Sequence, residues 1–194
     1  MVAGFALAGF SRGAAGLIES AQGLGIALAI YLPTFLQRSY AVSLGTLALA
    51  LALVAVGNLA GNVLGGRLAD RVRARALVFA IGSLLTAALA VPTLMWTPGL
   101  AGSIVLGFAY SFVNATSRPA LIATLGEVPG KVRGAVFGLT VTMASVGWLL
   151  AGSVGAALVA ARGFGGLGVF CGLLALAGSG LALASARGTA RPPR

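Results

Sequence analysis

Glu19 stands in a stretch of chain that holds no other charge between Arg12 and Arg38. A carboxylate in apolar surroundings is costly when ionised, and it can take up and release a proton, so an acid buried in a membrane is a functional candidate by default. Gln22 follows by three residues, and Arg12 and Gly16 precede by seven and three, so these positions share one helical face. The blander reading puts Glu19 near the headgroups, satisfied by water or by Arg12. A second stripe runs through Ser103, Gly107, Tyr110, Asn114, Ser117 and Arg118, again at intervals of three and four until the last pair. A polar face on an otherwise Ile, Val, Leu, Phe and Ala helix must point into protein or water. It serves either a solute pathway or hydrogen bonds between helices, and Arg118 either lines that pathway or snorkels to the interface.

Other patterns imitate enzymes without their partners. Gly9-Phe10-Ser11-Arg12-Gly13 fits the nucleophile elbow, but the chain has no histidine to activate Ser11. Gly163-Phe164-Gly165-Gly166-Leu167-Gly168 fits a dinucleotide fingerprint, yet no acid follows Glu127, so it reads as a glycine-rich turn. Lys131 is followed by Val132, and Leu125 stands where a phosphate loop needs glycine. The single cysteine, Cys171, sits in an apolar run and reads as packing. No catalytic cluster, metal site or cofactor is expected.

Composition explains why polar residues are so informative. Of 194 residues, 59% are hydrophobic and 8% charged, against about 25% charged in an ordinary soluble domain. The mean hydropathy of +1.03 leaves too little polar surface for a particle in water. The net charge of +10 raises the question of nucleic acid, but the basic residues stand singly or in one short cluster, so no nucleic-acid partner is expected. Met1 to Phe10 lacks the basic flank of a signal peptide, and no cleaved leader is expected.

Uncharged intervals can be compared with the roughly 20 residues that cross a hydrocarbon core. The expected architecture is an all-α integral membrane protein, a single membrane domain over 1–194 with six transmembrane helices at about 13–36, 43–64, 76–95, 100–122, 134–161 and 163–186. The stretch 76–117 carries no charge and would run about 63 Å as one helix, twice the bilayer, so it must turn. Thr97-Pro98-Gly99 supplies the break. With both termini cytoplasmic, that face collects Arg12, Arg67, Arg71, Arg73, Arg75, Lys131, Arg133, Arg187, Arg191 and Arg194, and the other face only Arg38 and Arg162. This is the positive-inside arrangement.

Glycines mark close helix approach. Gly57, Gly61 and Gly65 form a doubled GxxxG on the second span, with Asn58 and Asn62 beside them. Gly138, Gly147, Gly152 and Gly155 accompany Thr142 and Ser145 on the fifth.

After the second span the chain reads GGRLADRVRAR, from Gly65 to Arg75. This resembles the cytoplasmic signature of the major facilitator superfamily, G-x-L-A-D-R-x-G-R-R, matching at Gly66, Leu68, Ala69, Asp70 and Arg71 with Arg75 on a basic position. Arg73 stands where the family prefers glycine and Ala74 where it prefers a base. Asp70 suits the electropositive start of the third helix. Residues 127–134 resemble the loop between the fourth and fifth helices, and the glycines of the fifth helix resemble an antiporter pattern without its proline. The fourth span lacks the early arginine of the family's first half, which favours the C-terminal half.

The resemblance implies a six-helix bundle that works against a second one, either another copy or another half. It implies secondary transport by alternating access in the plasma or inner membrane, with first and fourth helices lining the cavity and second and fifth facing the other bundle. On that reading Glu19 is the proton or cation site, Gln22, Tyr110, Asn114 and Arg118 meet the solute, and Gly66, Asp70, Arg71 and Arg75 form the cytoplasmic gate. Proton-coupled efflux of a small organic solute is the expected activity. The alternatives are an inactive fragment or assembly subunit of a twelve-helix transporter, and a small intramembrane enzyme, for which no catalytic cluster is present.

Overall fold

The computed structural model describes residues 26–72, 75–126 and 130–189, and every described element is helical. Five helical runs follow one another: α1 (Ala27–Tyr40), α2 (Leu44–Arg71), α3 (Arg75–Met95), α4 (Leu100–Gly126) and α5 (Gly130–Thr189). Glu19 and Gln22 lie outside the described residues.

Local chemistry sets the breaks. At the end of α1, Ala41 takes a left-handed conformation at φ 47°, and its N–H donates to the Gln37 carbonyl at 2.9 Å. Ser43 then caps α2 by accepting the Thr46 N–H at 3.2 Å. Gly99, at φ 98°, makes the turn between α3 and α4. Inside α5, Gly163 adopts φ 67° and ψ −172°, a combination essentially confined to glycine, and divides the run into an N-terminal and a C-terminal arm. Pro33, Pro92 and Pro119 lie within helices and each removes one backbone donor.

Among the described residues, four segments are long and apolar enough to cross a membrane: Leu44–Arg71, Leu77–Met95, Leu100–Ala123 and Phe137–Leu181. The last has 45 residues. Drawn straight it would reach about 68 Å, more than twice the hydrocarbon thickness, and the Gly163 break falls within it. The outward faces carry exposed leucine, valine and isoleucine on every long helix, a surface suited to lipid rather than water.

Packing follows the glycines and alanines. The α2 and α4 helices run in the same direction and meet in register, Gly57 against Phe108, Gly61 against Phe112 and Gly65 against Thr116. A Cβ at Gly61 or Gly65 would strike the facing backbone carbonyl. The C-terminal arm of α5 lies antiparallel on α3, with Gly168 beside Ala90, Gly172 beside Ala87, and the Ser179 hydroxyl donating to the Ala80 carbonyl at 3.0 Å. The α1 helix fills the centre, where Leu28, Leu32, Phe35 and Leu36 are buried together with Val54, Leu94, Tyr110, Leu167 and Cys171. Phe35 meets Phe164 edge to face with centroids 5.4 Å apart.

One expectation needs correction. The second helix does not stop near residue 64: it continues to Arg71, and the Val72 N–H still reaches the Leu68 carbonyl at 2.9 Å. Ala69 is buried beside Phe79, Ala120 and Leu121, which holds that last turn on the bundle. Asp70 therefore sits in the final turn of α2 rather than at the start of α3. The glycines of α2 face α4 within the chain, and their missing side chains are what lets these two backbones touch.

Candidate functional site

The polar stripe of α4 turns into the bundle. Ser103 is fully buried, and its hydroxyl lies 2.8 Å from the Tyr40 hydroxyl of α1. At Gly107 a Cβ would come within 3.0 Å of Leu32 and 3.2 Å of Val54, so the glycine admits α1 and α2 to the helix surface. Tyr110 is 4% exposed and stands beside the Cys171 thiol, while the Asn114 side chain hydrogen-bonds its hydroxyl one turn along. Cys171 is held by a backbone group of Leu28. Ser117, 1% exposed, donates to the Asn114 carbonyl at 2.7 Å, and its Cβ fills the space at Gly82 of α3.

Tyr110 and Asn114 are thus brought together, and Asn114 and Arg118 are the partly exposed members of the row. This division has a simple cause. The hydroxyls satisfy themselves within the protein, whereas a carboxamide offers two donors and an acceptor and has capacity left for a ligand. The arrangement can bind a polar group at Asn114, with the Tyr110 hydroxyl orienting the amide, and it offers no nucleophile–base pair. Among the described residues no group of histidine, cysteine and acidic side chains could hold a metal.

At the far end of α2, Gly66 is half-buried with open space around it, and Asp70 and Arg71 are exposed. The Arg75 Nε donates to the Ala69 carbonyl at 3.0 Å, so the first residue of α3 satisfies an orphan carbonyl at the end of α2. Gly66, Asp70 and Arg71 thus lie in the last turns of α2, and Arg75, the first residue of α3, ties the two helix ends together.

The N-terminal arm of α5 is fixed differently. Gly138 is exposed, Gly147 is buried, and Gly152 and Gly155 meet Tyr31 of α1. The Tyr31 hydroxyl donates to the Gly152 carbonyl at 2.6 Å while its ring occupies the space that a side chain at Gly155 would need. Nothing in the charge or glycine spacing singles out Tyr31. The available signal was a polar-tipped aromatic on an apolar helix and a Gly-x-x-Gly pair to receive it. Tyr31→Phe is expected to cost about 1 kcal/mol and to lower the melting temperature by roughly 2–4 °C. Thermal unfolding in detergent checks this, and an unchanged midpoint would remove the hydroxyl from the account.

No curated protein and no solved structure matches the chain. A family model does: that of the Major Facilitator Superfamily aligns with residues 2–194. The apolar helices, the inward polar row and the basic sequence that follows α2 agree with that match. The chain belongs to the major facilitator superfamily, a family of multi-pass membrane proteins that carry out secondary transport rather than catalysis.

Proposed function

We propose that the chain is one six-helix half, the C-terminal type, of a proton-coupled transporter that exports a small organic solute. The match over residues 2–194 carries this reading, because it spans a chain with length for one bundle only. The six spans are the first, of which Ala27–Tyr40 is described, then α2, α3, α4 and the two arms of α5, with both termini cytoplasmic. That orientation is supported by ten basic residues on one face against Arg38 and Arg162 on the other. Alternating access needs a second bundle, since the solute site lies between two rocking halves near the midplane.

Within that scheme Glu19 carries the proton, and Gln22 and Asn114 meet the solute. Tyr110 acts through Asn114, as its burial in the bundle suggests. Arg118 draws anionic groups toward the cytoplasmic mouth. Gly66, Asp70, Arg71 and Arg75, at the facing ends of α2 and α3, form the cytoplasmic gate that shifts when the mouth opens. The test is solute movement in sealed lipid vesicles containing the purified chain, with a proton gradient imposed across the membrane. A panel of small organic solutes should include some that move against the proton flow, each accompanied by a measurable pH change. Vesicles that hold the paired protein yet move none of the panel and no protons would refute the reading.

A further inference from the structure

Where α3 meets the C-terminal arm of α5, a groove opens on the outside of the bundle. Gly172 beside Ala87 brings the two helices close and makes its floor. Leu84, Ala88 and Val91 of α3 form one wall, and Val169, Leu173 and Leu176 of the arm form the other. The groove measures about 480 Å³ and its lining is apolar, a volume within the range of ligand pockets. Phe35, Leu28 and Tyr110 meet the other face of the arm, at Phe164 and Cys171, so the groove turns away from the α4 polar row. A cation marks one end of it. Gly166 precedes Val169, Leu173 and Leu176 by three, seven and ten residues, which places all four on one stripe of the arm. The Arg162 stem lies over Gly166, where a Cβ would come within 3.6 Å of its Cγ and Cδ. Arg162 is exposed, and α3 ends at this level with Met95 beside Gly165 and Trp96 exposed next to it. Tryptophan is favoured at headgroup depth. No described acid neighbours Arg162: Asp70 lies at the other end of α3, beside the Ala69 carbonyl that Arg75 holds, and Glu19 and Glu127 lie outside the described residues.

We propose that an anionic phospholipid from the leaflet on this side occupies the groove, with one acyl chain between α3 and the C-terminal arm of α5 and its phosphate on Arg162. The dimensions suit that occupant. From Gly166 to Leu176 the arm rises about 15 Å, half of the hydrocarbon core and therefore the depth of one leaflet. A zwitterionic lipid can fill the same space, but its own cation offsets the attraction of Arg162, so the site selects net negative charge. A free anion would match Arg162 and leave the groove empty. The inference requires only that these helices cross a bilayer, and it does not depend on a second bundle.

The test uses the full chain in phosphatidylcholine vesicles, with Trp148→Phe leaving Trp96, at the mouth of the groove, as the only tryptophan. A minor share of the lipid carries bromine near the headgroup end of its acyl chains, as phosphatidylglycerol in one series and phosphatidylcholine in the other, and bound bromine quenches Trp96. Titration should give phosphatidylglycerol an apparent affinity about fivefold higher, the scale of one basic residue at an anionic lipid. Arg162→Gln should erase that preference and Arg162→Lys should keep most of it. Arg38→Gln, which removes a charge from the end of α1, should leave it intact. Ala88→Phe fills the groove without changing charge and should erase it as well. Equal quenching by the two lipids reports an annular layer only and overturns the site, as does a preference that survives Arg162→Gln. A preference that falls equally with Arg38→Gln reports surface charge alone and overturns the role of Arg162. Loss with Arg162→Gln but none with Ala88→Phe shows headgroup attraction without a seated chain, and relief of quenching by inorganic phosphate assigns Arg162 to a free anion; either result overturns the groove as a lipid site.

Discussion

Gly61→Leu is expected to break the bundle at its tightest seam. The α2 and α4 helices touch backbone to backbone, and a side chain at residue 61 would strike the Phe112 carbonyl and come within 3.0 Å of the Ala115 Cβ. Neither neighbour is the tip of a flexible side chain, so relief requires the two helices to separate. Separation at residue 61 also disturbs the registered contacts at Gly57 and Gly65, and with them the position of the α4 polar row. Overpacking of this kind costs roughly 3 kcal/mol, which lowers the melting temperature by roughly 10 °C in a chain of this size. Gly138→Ala is the matched control, since Gly138 is exposed with nothing within 4 Å. Alanine there improves helix propensity, so its midpoint should hold or rise slightly. Tryptophan fluorescence during heating in detergent reads both. Equal midpoints for Gly61→Leu and the parent chain would mean that the helices do not meet as described.

The second large effect is functional. Glu19→Gln should abolish the dependence of solute flux on a proton gradient, reducing gradient-driven movement at least tenfold, while leaving the mass and helix content of the assembly unchanged. Glutamine matches the size and hydrogen-bonding reach of the acid but cannot titrate, and a coupled carrier moves protons only through a group that does. Solute exchange at equal pH on both sides should persist, because the contact proposed at Asn114 is made by a carboxamide, which does not titrate. Gradient-driven flux at the parental rate would show that Glu19 is not the coupling site.

How much of this was legible beforehand depended on the kind of signal. The apolar stretches and the break at Thr97-Pro98-Gly99 were readable because the bilayer fixes helix length and only a few residues make a sharp turn. The superfamily signature was readable from Gly66, Leu68, Ala69, Asp70 and Arg71. Helix ends were less so: charge served as punctuation, whereas α2 follows its hydrogen bonds through Asp70 to Arg71 with Ala69 still packed inside. Glycine spacing announced a close approach without naming the partner, and the neighbour of Gly57, Gly61 and Gly65 proves to be α4. Periodicity likewise placed Ser103, Tyr110, Asn114 and Ser117 on one face, but a polar face can turn to protein or to water. Only the three-dimensional neighbours, Tyr40, Cys171 and Gly82, show that most of it turned inward. The link from Tyr31 to Gly152 joins residues 121 positions apart, a separation at which no local pattern speaks.

The central claim is that one bundle works only in company with a second. The mass of the purified chain in a mild detergent, corrected for bound detergent by light scattering, tests it most directly. The account predicts twice the 19.1 kDa of the single chain. A stable single chain at concentrations where transport is measured would contradict alternating access between two bundles.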